Sequence, residues 1–267
     1  MTRYGRDFYN VVRAVGFGKP LSWPKPKSLT PWGRLVFVNS WSDFFIEEAD
    51  AWRDEAWEVI RRTPWNTYQI LTKRPERIAE RIADHLPKTC FKCGGLYRGP
   101  LYESGMWCGC AAGDGVPWPW PNVWLGTSVE NQRWAEKRIP QLVAVPAVVH
   151  FLSCEPLLGP IDFFHPPVLD RTKQADLLDD IKWVIAGGES DPKNPRPMDL
   201  DWARSIRDQC AVANIPFFFK QVGGKHRGMC SHEDCRLTWG CKRLDGNLHQ
   251  MFPSPPKGVE FAGFWTK

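Results

Sequence analysis

Short apolar runs alternate with stretches of helical periodicity along most of the chain. Runs rich in β-branched and aromatic residues predict six β-strands, at residues 34–39, 67–72, 122–128, 147–153, 181–186 and 216–220. Apolar residues at helical spacing predict helices over residues 47–62, 75–86 and 199–213, and another that ends near residue 142. Each predicted strand ends in a cluster of polar residues. The repeating unit is therefore an apolar strand followed by polar residues.

The order of these elements predicts an α/β fold with a parallel sheet. Strands that are apolar at nearly every residue and alternate with helices are typical of sheets buried on both faces. We expect a parallel (β/α) barrel or a partial TIM-like barrel, in which the carboxyl ends of the strands share one rim. A doubly wound open sheet is the alternative, but no G-x-G-x-x-G or P-loop pattern follows an early strand.

Two segments interrupt the alternation and divide the chain into four predicted parts. Residues 87–121 are too long and too rich in Cys, Gly and Pro for a simple loop, and we interpret them as an inserted zinc-ribbon-like module. Residues 224–267 predict an irregular, cysteine-containing C-terminal extension. Residues 1–86 and 122–223 then form the first and second parts of the barrel.

The composition is that of a folded protein without a membrane span. Of 267 residues, 43% are hydrophobic and 24% charged, which excludes a wholly disordered chain. The longest apolar stretch, residues 142–152, is interrupted by Pro146 and His150 and is far shorter than the roughly 20 residues that cross a bilayer. The charged N-terminal residues do not resemble a secretory signal, and we expect a cytoplasmic protein.

Charge and cysteine content narrow the classes of partner and cofactor. The 35 Lys and Arg residues exceed the 30 Asp and Glu residues, and the resulting net charge of +5 permits nucleic-acid binding without requiring it. The 9 cysteines are an odd number and cannot all form intramolecular disulfides. In a reducing compartment, cysteines are more often free thiols or metal ligands than disulfides.

Four cysteines of the insertion have a spacing close to that of a zinc ribbon. Cys90 and Cys93 form a C-x-x-C turn, and residues 94–107 separate them from Cys108 and Cys110. The second pair is C-x-C rather than C-x-x-C, a departure that a zinc ribbon tolerates. Two such pairs place four thiolates around one tetrahedral metal ion, so we predict a structural zinc. The alternative is two unrelated pairs of free thiols.

A second group of zinc-type donors lies in the C-terminal segment. The donors suit zinc by their chemistry, but their spacing matches no standard ribbon, so a metal site and ordinary side chains are both open interpretations. These residues are Cys230, His232, Cys235 and Cys241. Cys210, inside a predicted helix, is interpreted as core packing, whereas Cys154 ends a predicted strand at the rim.

Polar residues at the predicted strand ends are the candidate functional site. In a parallel barrel these ends converge, so Glu130, Glu155, Glu189 and Lys220 are expected in one cavity. Glu155 and Lys220 are the candidates for catalysis, as an acid–base group and its electrostatic partner. The candidate cofactor- or substrate-binding residues are Asn39, Ser40, Asp43, Lys73, Arg74, Ser128, Glu130, Asn131, Ser153, Gly187, Gly188, Glu189, Ser190 and Gln221. The alternative is a set of structural salt bridges that close the barrel mouth.

Six blocks of sequence resemble one protein family. They begin at Phe37 (FVNSWSDFF), Gln69 (QILTKRP), Asn122 (NVWLGTSVENQ), Phe151 (FLSCEPLLGPID), Trp183 (WVIAGGES) and Pro216 (PFFFKQ). In this order, and with Leu244-Asp-Gly246 near the end, they resemble phage and prophage proteins of unknown function that are related to radical S-adenosylmethionine (SAM) enzymes. The resemblance covers residues 21–253.

The resemblance implies a partial TIM-like barrel that holds a [4Fe–4S] cluster and SAM at its open end, with Glu189 and Ser190 in contact with the ligand. Members of the family carry three cluster-ligating cysteines before the block at Phe37. Residues 1–89 of this sequence contain no cysteine, and no C-x3-C-x-x-C spacing occurs anywhere in it. Either the chain is truncated relative to the family, or a second polypeptide supplies the cluster loop, or the cluster has been lost.

Two functions of different classes follow from these features. The first is a radical-SAM-like enzyme that acts in nucleic-acid or nucleotide modification or repair. The second is a non-catalytic barrel that binds nucleic acid or a partner protein through the zinc module and tryptophan-rich loops. The rings of Trp118 and Trp120 would then stack on bases, unless they pack within the protein. Hydrolytic or lyase chemistry by the rim carboxylates ranks third, because no nucleophile is evident.

Overall fold

The computed structural model describes residues 18–25, 32–38, 42–83, 118–164, 176–190, 194–223 and 240–254. They form two compact units: unit 1 contains the described residues up to Val123, and unit 2 contains those from Trp124 onward. Most of the predicted zinc-ribbon-like segment and much of the C-terminal extension lie outside the described residues. The division of the chain into four parts therefore stays a prediction.

Strands and helices occur where the sequence predicts them. The parallel strands are β1 (Arg34–Val38), β2 (Asn66–Thr72), β3 (Val123–Ser128), β4 (Val149–Cys154), β5 (Ile181–Gly187) and β6 (Phe217–Gln221). The helices are α1 (Asp50–Arg62), α2 (Ile78–Ala83), α3 (Gln132–Val143) and α4 (Leu200–Val212). Short 3-10 turns at Glu47–Ala49 and Pro75–Arg77 lead into α1 and α2, which explains the predicted starts at 47 and 75. Among the described helices, none is long and apolar enough to cross a membrane.

Unit 1 contains a parallel pair of strands covered by α1. β1 and β2 are parallel, with Phe37 opposite Gln69. Tyr68 of β2 hydrogen-bonds through its hydroxyl to Thr63, the residue that follows α1. Because side chains alternate along a strand, the face that carries Tyr68 packs against α1, and Phe37 and Gln69 lie on the opposite face.

Trp118 and Trp120 belong to the core of unit 1. Their side chains are 4% and 5% exposed. Both rings contact Trp57 of α1 edge to face, at centroid distances of 6.1 and 5.7 Å. Buried rings are not available to stack on nucleic-acid bases, so of the two interpretations of this tryptophan pair the structure favours packing within the protein.

Unit 2 is built on parallel strands in chain order. β3 pairs with β4, β4 with β5 and β5 with β6, all in parallel. α4 packs on β5 and β6 and buries Ala203, Ile206 and Cys210. Neighbours that are consecutive in the chain are typical of barrel-type sheets, whereas a doubly wound sheet reverses its strand order at a switch point. The predicted parallel α/β class is confirmed, and the described strands of unit 2 show no reversal.

The C-terminal segment covers the outer edge of β6. The N–H of Phe219 donates to the carbonyl of His249 at 2.7 Å, and the N–H of Met251 donates to the carbonyl of Phe217 at 3.2 Å. Trp183 of β5 donates its indole N–H to the carbonyl of Met251 at 2.8 Å. Residues 249–251 therefore run antiparallel to β6 and occupy its outer edge.

A short hairpin that the sequence pattern does not predict precedes this segment. β7 (Arg243–Leu244) and β8 (Asn247–Leu248) are antiparallel. Asp245 and Gly246 form the two-residue turn, with φ of 52° and 79°, and Asp-Gly is typical of such turns. The Asp245 carboxylate accepts hydrogen bonds from Arg204 and Arg207 of α4, which fastens the hairpin to the helix.

Candidate functional site

The carboxyl ends of β4 and β6 meet in a polar cluster in unit 2. Lys220 Nζ lies 2.9 Å from both carboxylate oxygens of Glu155, and the Gln221 amide nitrogen donates to Glu155 Oε1 at 3.2 Å. The Glu155 side chain is 15% exposed and the Lys220 side chain 50%. The two residues predicted as catalytic are therefore in direct contact, and the ammonium faces solvent.

Glycines at the end of β5 leave room for this contact between its two neighbouring strands. A Cβ on Gly187 would lie 3.3 Å from Lys220 Cβ. Gly188 donates its N–H to the carbonyl of Gln221 at 2.9 Å, and its own carbonyl accepts from the Gln221 amide at 3.3 Å. A Cβ on Gly188 would overlap the carbonyl of Val222, so the backbone after β5 lies directly on the backbone after β6.

Glu189 follows this glycine pair and binds Arg196. The Arg196 backbone N–H and Nε donate to Glu189 Oε2 at 2.7 and 3.0 Å, and Nη2 donates to Oε1. Hydrogen bonding to Glu189 raises the pKa of the Arg196 guanidinium, and the charge of Glu130 adds to the effect. The side chains of Arg196 and Glu189 are 57% and 21% exposed, so this bidentate pair faces solvent.

Glu130 forms a buried ion pair. Its Oε2 lies 2.8 Å from Arg138 Nη1 of α3, and both side chains are 7% exposed. Arg138 also donates to the carbonyl of Ser128 at 2.8 Å and lies over the ring of Trp134 at 3.9 Å. The pair fastens α3 to the end of β3, so for Glu130 the structure favours the salt-bridge alternative over ligand binding.

Three further predicted residues lie near this pair or near Glu189. Asn131 caps α3, because its side chain accepts the N–H of Trp134 at 3.3 Å. Ser153 is buried, and its carbonyl accepts the N–H of Val129 at 2.9 Å. Ser190 follows Glu189 and is exposed. Asn131 therefore has a local structural role as a helix cap, Ser153 lies inside unit 2, and Ser190 is accessible.

The loop after β4 connects these groups into one rim. The N–H of Leu157 donates to the carbonyl of Gly187 at 2.9 Å, and the N–H of Leu158 donates to the carbonyl of Glu130 at 2.8 Å. The carboxylates of Glu130 and Glu189 both act on the charge of Arg196. The predicted group of three carboxylates and Lys220 thus lies along one edge of unit 2, and each charge in it has a partner of opposite sign.

In unit 1, Asp43 organises the turn after β2. Its Oδ1 accepts from Thr72 Oγ1 at 2.7 Å, and its Oδ2 accepts from the N–H of Lys73 at 2.8 Å and from Arg74 Nη1 at 3.0 Å. The Asp43 side chain is 12% exposed. Asp43 therefore positions Lys73 and Arg74, while the two predicted residues before it, Asn39 and Ser40, lie outside the described residues.

The described cysteines do not form a metal site by themselves. Burial raises the pKa of the Cys154 thiol well above its usual range and raises the pKa of Cys210 to about 12, so both stay protonated near neutral pH. Cys241 Sγ accepts the N–H of Arg243 at 3.4 Å. No cluster of three or more potential ligands occurs within the described ranges. The remaining predicted zinc ligands lie outside those ranges: Cys90, Cys93, Cys108, Cys110, Cys230, His232 and Cys235.

Arg138 and Arg196 are rim residues that the sequence predictions did not include. A signal was present for Arg138, because it lies on the apolar face of a helix eight residues after Glu130, and a buried arginine needs a carboxylate partner. Arg196 follows Glu189 by seven residues in a segment without periodicity. Only the three-dimensional structure reveals that contact.

Fold and rim together define a parallel α/β protein with a cluster of paired charges at the carboxyl ends of its strands. The chain belongs to the family described as Protein of unknown function (DUF5131), which matches residues 9–253 and so includes both units. Comparison with curated proteins and with solved structures gives no significant match. The prediction that most of the chain belongs to one family of unknown function is confirmed.

Proposed function

We propose that this chain is a phage-type, radical-SAM-like protein with a partial barrel, that the rim of unit 2 binds SAM, and that its substrate is a nucleic acid or nucleotide. The observation that carries the proposal is the rim around Glu189. There, pairs of carboxylates and cations lie on either side of Gly187 and Gly188, which have no side chains to block a ligand. The resemblance of six sequence blocks to proteins related to radical SAM enzymes supports the same assignment.

The rim residues fit the charged end of SAM, which carries an ammonium, a carboxylate and a sulfonium group. Glu189 and Glu155 offer acceptors for the ammonium, and Arg196 and Lys220 offer donors for the carboxylate. Tight backbone packing at Gly188 holds Glu189 in place before a ligand binds. SAM bound beside an iron–sulfur cluster supplies radical chemistry.

The described cysteines do not fit a [4Fe–4S] cluster, which needs three convergent thiolates. Cys154 and Cys210 are buried, protonated thiols, and the sequence contains no C-x3-C-x-x-C spacing. The proposal therefore includes a second polypeptide as the source of a cluster loop. Without that polypeptide, the proposal for this chain is limited to ligand binding. Glu155 and Lys220 are the candidate catalytic pair of the complete assembly.

A structural zinc belongs to the same proposal. Its support is the paired spacing of Cys90, Cys93, Cys108 and Cys110 in a segment with few core residues. The group of Cys230, His232, Cys235 and Cys241 is a candidate second site. Zinc binding supplies folding free energy to segments whose sequence predicts little apolar core.

The alternative is a non-catalytic protein that binds nucleic acid or a partner protein. The net charge of +5 permits nucleic-acid binding. Burial of Trp118 and Trp120 removes the stacking surface, so this alternative now depends on the predicted zinc module. Such a protein would bind oligonucleotides with an affinity that falls steeply with salt, and it would not bind SAM.

Calorimetric titration with SAM tests the proposal on the purified chain. Glu189→Gln keeps the shape of the side chain but removes its charge. The loss of a charge-assisted hydrogen bond, worth about 1.5–3 kcal/mol, should raise the Kd for SAM by about 10- to 150-fold. The control is Glu58→Gln, which removes an exposed carboxylate paired with Arg61 in α1 of unit 1 and should bind SAM like the wild type.

A wild-type chain without saturable SAM binding, or a Glu189→Gln variant that binds as tightly as the wild type, would contradict the proposal. Salt-sensitive oligonucleotide binding by a chain that does not bind SAM would support the non-catalytic alternative instead.

A further inference from the structure

Gln69 is a buried amide whose nitrogen has no hydrogen-bond partner among the described residues. Its side chain lies in β2 at 6% exposure, and Nε2 is a donor without an acceptor. A buried donor of this kind destabilises the folded protein unless something supplies an acceptor. A bound ligand is one source of that acceptor.

The neighbours of Gln69 along β2 contrast with it. Thr67 lies on the same strand face and is also buried, but its hydroxyl donates to the carbonyl of Trp32. Tyr68 and Ile70 lie on the other face, which packs against α1. The unsatisfied donor is thus on the face of β2 opposite α1, where Thr67 and Gln69 are both buried.

An exposed aromatic ring lies beside this amide. Phe37 of β1 is directly opposite Gln69 in the parallel register, so both side chains are on one face. Phe37 is 44% exposed, which is high for a phenylalanine in a sheet. A ring that stacks and an amide that hydrogen-bonds are the two groups with which proteins recognise a nucleobase.

Lys73 supplies a positive charge at the end of the same strand. It directly follows Thr72, the last residue of β2, and so lies at the end of the strand that carries Gln69. Its backbone N–H is held by Asp43 Oδ2 at 2.8 Å, and the residue is exposed. A lysine ammonium in this position suits a phosphate group.

We propose that the face of β1 and β2 that carries Phe37 and Gln69 binds a nucleotide. Phe37 stacks on the base, the Gln69 amide donates to a carbonyl oxygen or ring nitrogen of the base, and Lys73 binds the phosphate. The inference rests on the proposed function, because it specifies where the nucleotide substrate binds. The same chemistry recognises a free nucleotide and one unit of a single-stranded oligonucleotide.

Titration of the full chain with the common nucleoside 5′-monophosphates and with short single-stranded oligonucleotides tests this site. In the wild type we expect saturable binding that shifts the side-chain NH₂ signals of Gln69 in ¹H–¹⁵N spectra. Gln69→Leu should raise the Kd by about 2- to 12-fold, the effect of losing one neutral hydrogen bond. The thermal midpoint of the free variant should not fall, because the substitution removes an unsatisfied donor.

Phe37 is tested by a pair of substitutions. Phe37→Ala should weaken binding by about 5- to 150-fold, the effect of losing one stacking ring. Phe37→Trp keeps an aromatic ring at this position and should bind the nucleotide as the wild type does. The matched control is Gln250→Leu, which removes an exposed amide in unit 2 and should leave nucleotide binding unchanged.

Tight binding of free nucleotides would identify a nucleotide ligand, and binding of oligonucleotides alone would identify a single strand; either result supports the site. The absence of saturable binding overturns it. So does a Gln69→Leu variant with unchanged nucleotide affinity and a lower thermal midpoint, since Gln69 would then be structural. A chain that binds SAM but no nucleotide refutes this site and leaves the SAM site intact, whereas one that binds nucleotides at Gln69 but not SAM refutes the SAM site alone.

Discussion

His150 places a titratable ring inside the core of unit 2. The side chain is 6% exposed, and its Nε2 lies 2.7 Å from the carbonyl oxygen of Val145. Burial lowers the pKa of the imidazole below its usual value of 6.5. Hydrogen bonds to the backbone of Val145 and Asp180 and the charge of Asp180 oppose this shift, while the charge of Lys182 adds to it. The folded unit therefore favours the neutral ring.

We expect His150 to make the free energy of unfolding fall as the pH is lowered through 6.5, the usual pKa of the imidazole. The unfolded chain takes up the proton near pH 6.5, whereas the folded protein takes it up only at lower pH. Acid therefore favours the unfolded state in this range. The substitution His150→Gln removes this titration, so urea unfolding of the variant should depend less on pH. Equal pH dependence in the variant and the wild type would show that His150 does not contribute.

The positions of the rim carboxylates can be predicted from sequence, but their contacts cannot. Glu130, Glu155 and Glu189 all follow apolar runs, and the end of a parallel strand is a position that hydrophobic patterning reveals. Their cationic partners lie 8, 65 and 7 residues away. A contact across 65 residues depends on which strands become neighbours, and no local pattern encodes it.

At the scale of elements, glycines join the segments that follow β5 and β6. Gly188 and Gly223 are so close that a Cβ on Gly223 would lie 2.5 Å from the carbonyl carbon of Gly188. Gly240 has a φ of 112°, and a Cβ there would lie 2.9 Å from the nitrogen of Gly223. Three chain segments therefore approach backbone to backbone beside Glu189 and Gln221.

We expect Gly188→Ala to destabilise unit 2 more than Gly187→Ala. The new methyl group at 188 would overlap the carbonyl of Val222, whereas at 187 its nearest neighbour is Lys220 Cβ at 3.3 Å. Overpacking of this kind costs about 1–3 kcal/mol, which urea unfolding of both variants measures. If the two variants unfold at the same urea concentration, a backbone shift relieves the overlap. The inference that tight backbone packing at Gly188 holds Glu189 in place would then be wrong.

Element boundaries were predictable where elements are long. Buried strands such as 181–186 read as apolar runs, and amphipathic helices such as 199–213 have a clear period. The hairpin at 243–248 was not predicted, because strands of two residues contain no period and only the Asp-Gly turn marks them. Long elements can be predicted because their hydrophobic pattern is local. Short elements are stabilised by distant contacts, such as those between Asp245 and α4, which the sequence pattern does not show.

At the scale of the whole molecule, the fold class follows from sequence but the division into compact units does not. Strand–helix alternation predicts a parallel α/β protein, and consecutive pairing of β3 to β6 agrees with it. The boundary between Val123 and Trp124 falls inside the apolar run 122–128. Domain boundaries are predicted from linkers rich in Pro, Gly or polar residues, and this run is not one.

The zinc prediction concerns the segments that interrupt the alternation. We expect elemental analysis of protein purified without a chelating tag to find stoichiometric zinc that is lost in a Cys90→Ser/Cys93→Ser variant. The control is Cys210→Ala, which removes a buried thiol of α4 and should retain the metal. Zinc that persists in full after the double substitution would refute the ribbon, and zinc lost instead in Cys230→Ser/Cys235→Ser would assign it to the C-terminal group.

Two main-chain groups on the outer side of β6, the N–H of Phe219 and the carbonyl of Phe217, are already bonded to residues 249–251 of the same chain. Exposed strand edges recruit further strands and so promote amyloid-like association. At β6 that route is blocked from within, because a foreign strand would have to displace Met251 and the indole hydrogen bond that Trp183 makes to it. We infer that partners of unit 2 do not bind by β-augmentation at β6. A truncated chain that ends before residue 249 would leave this edge exposed and would self-associate.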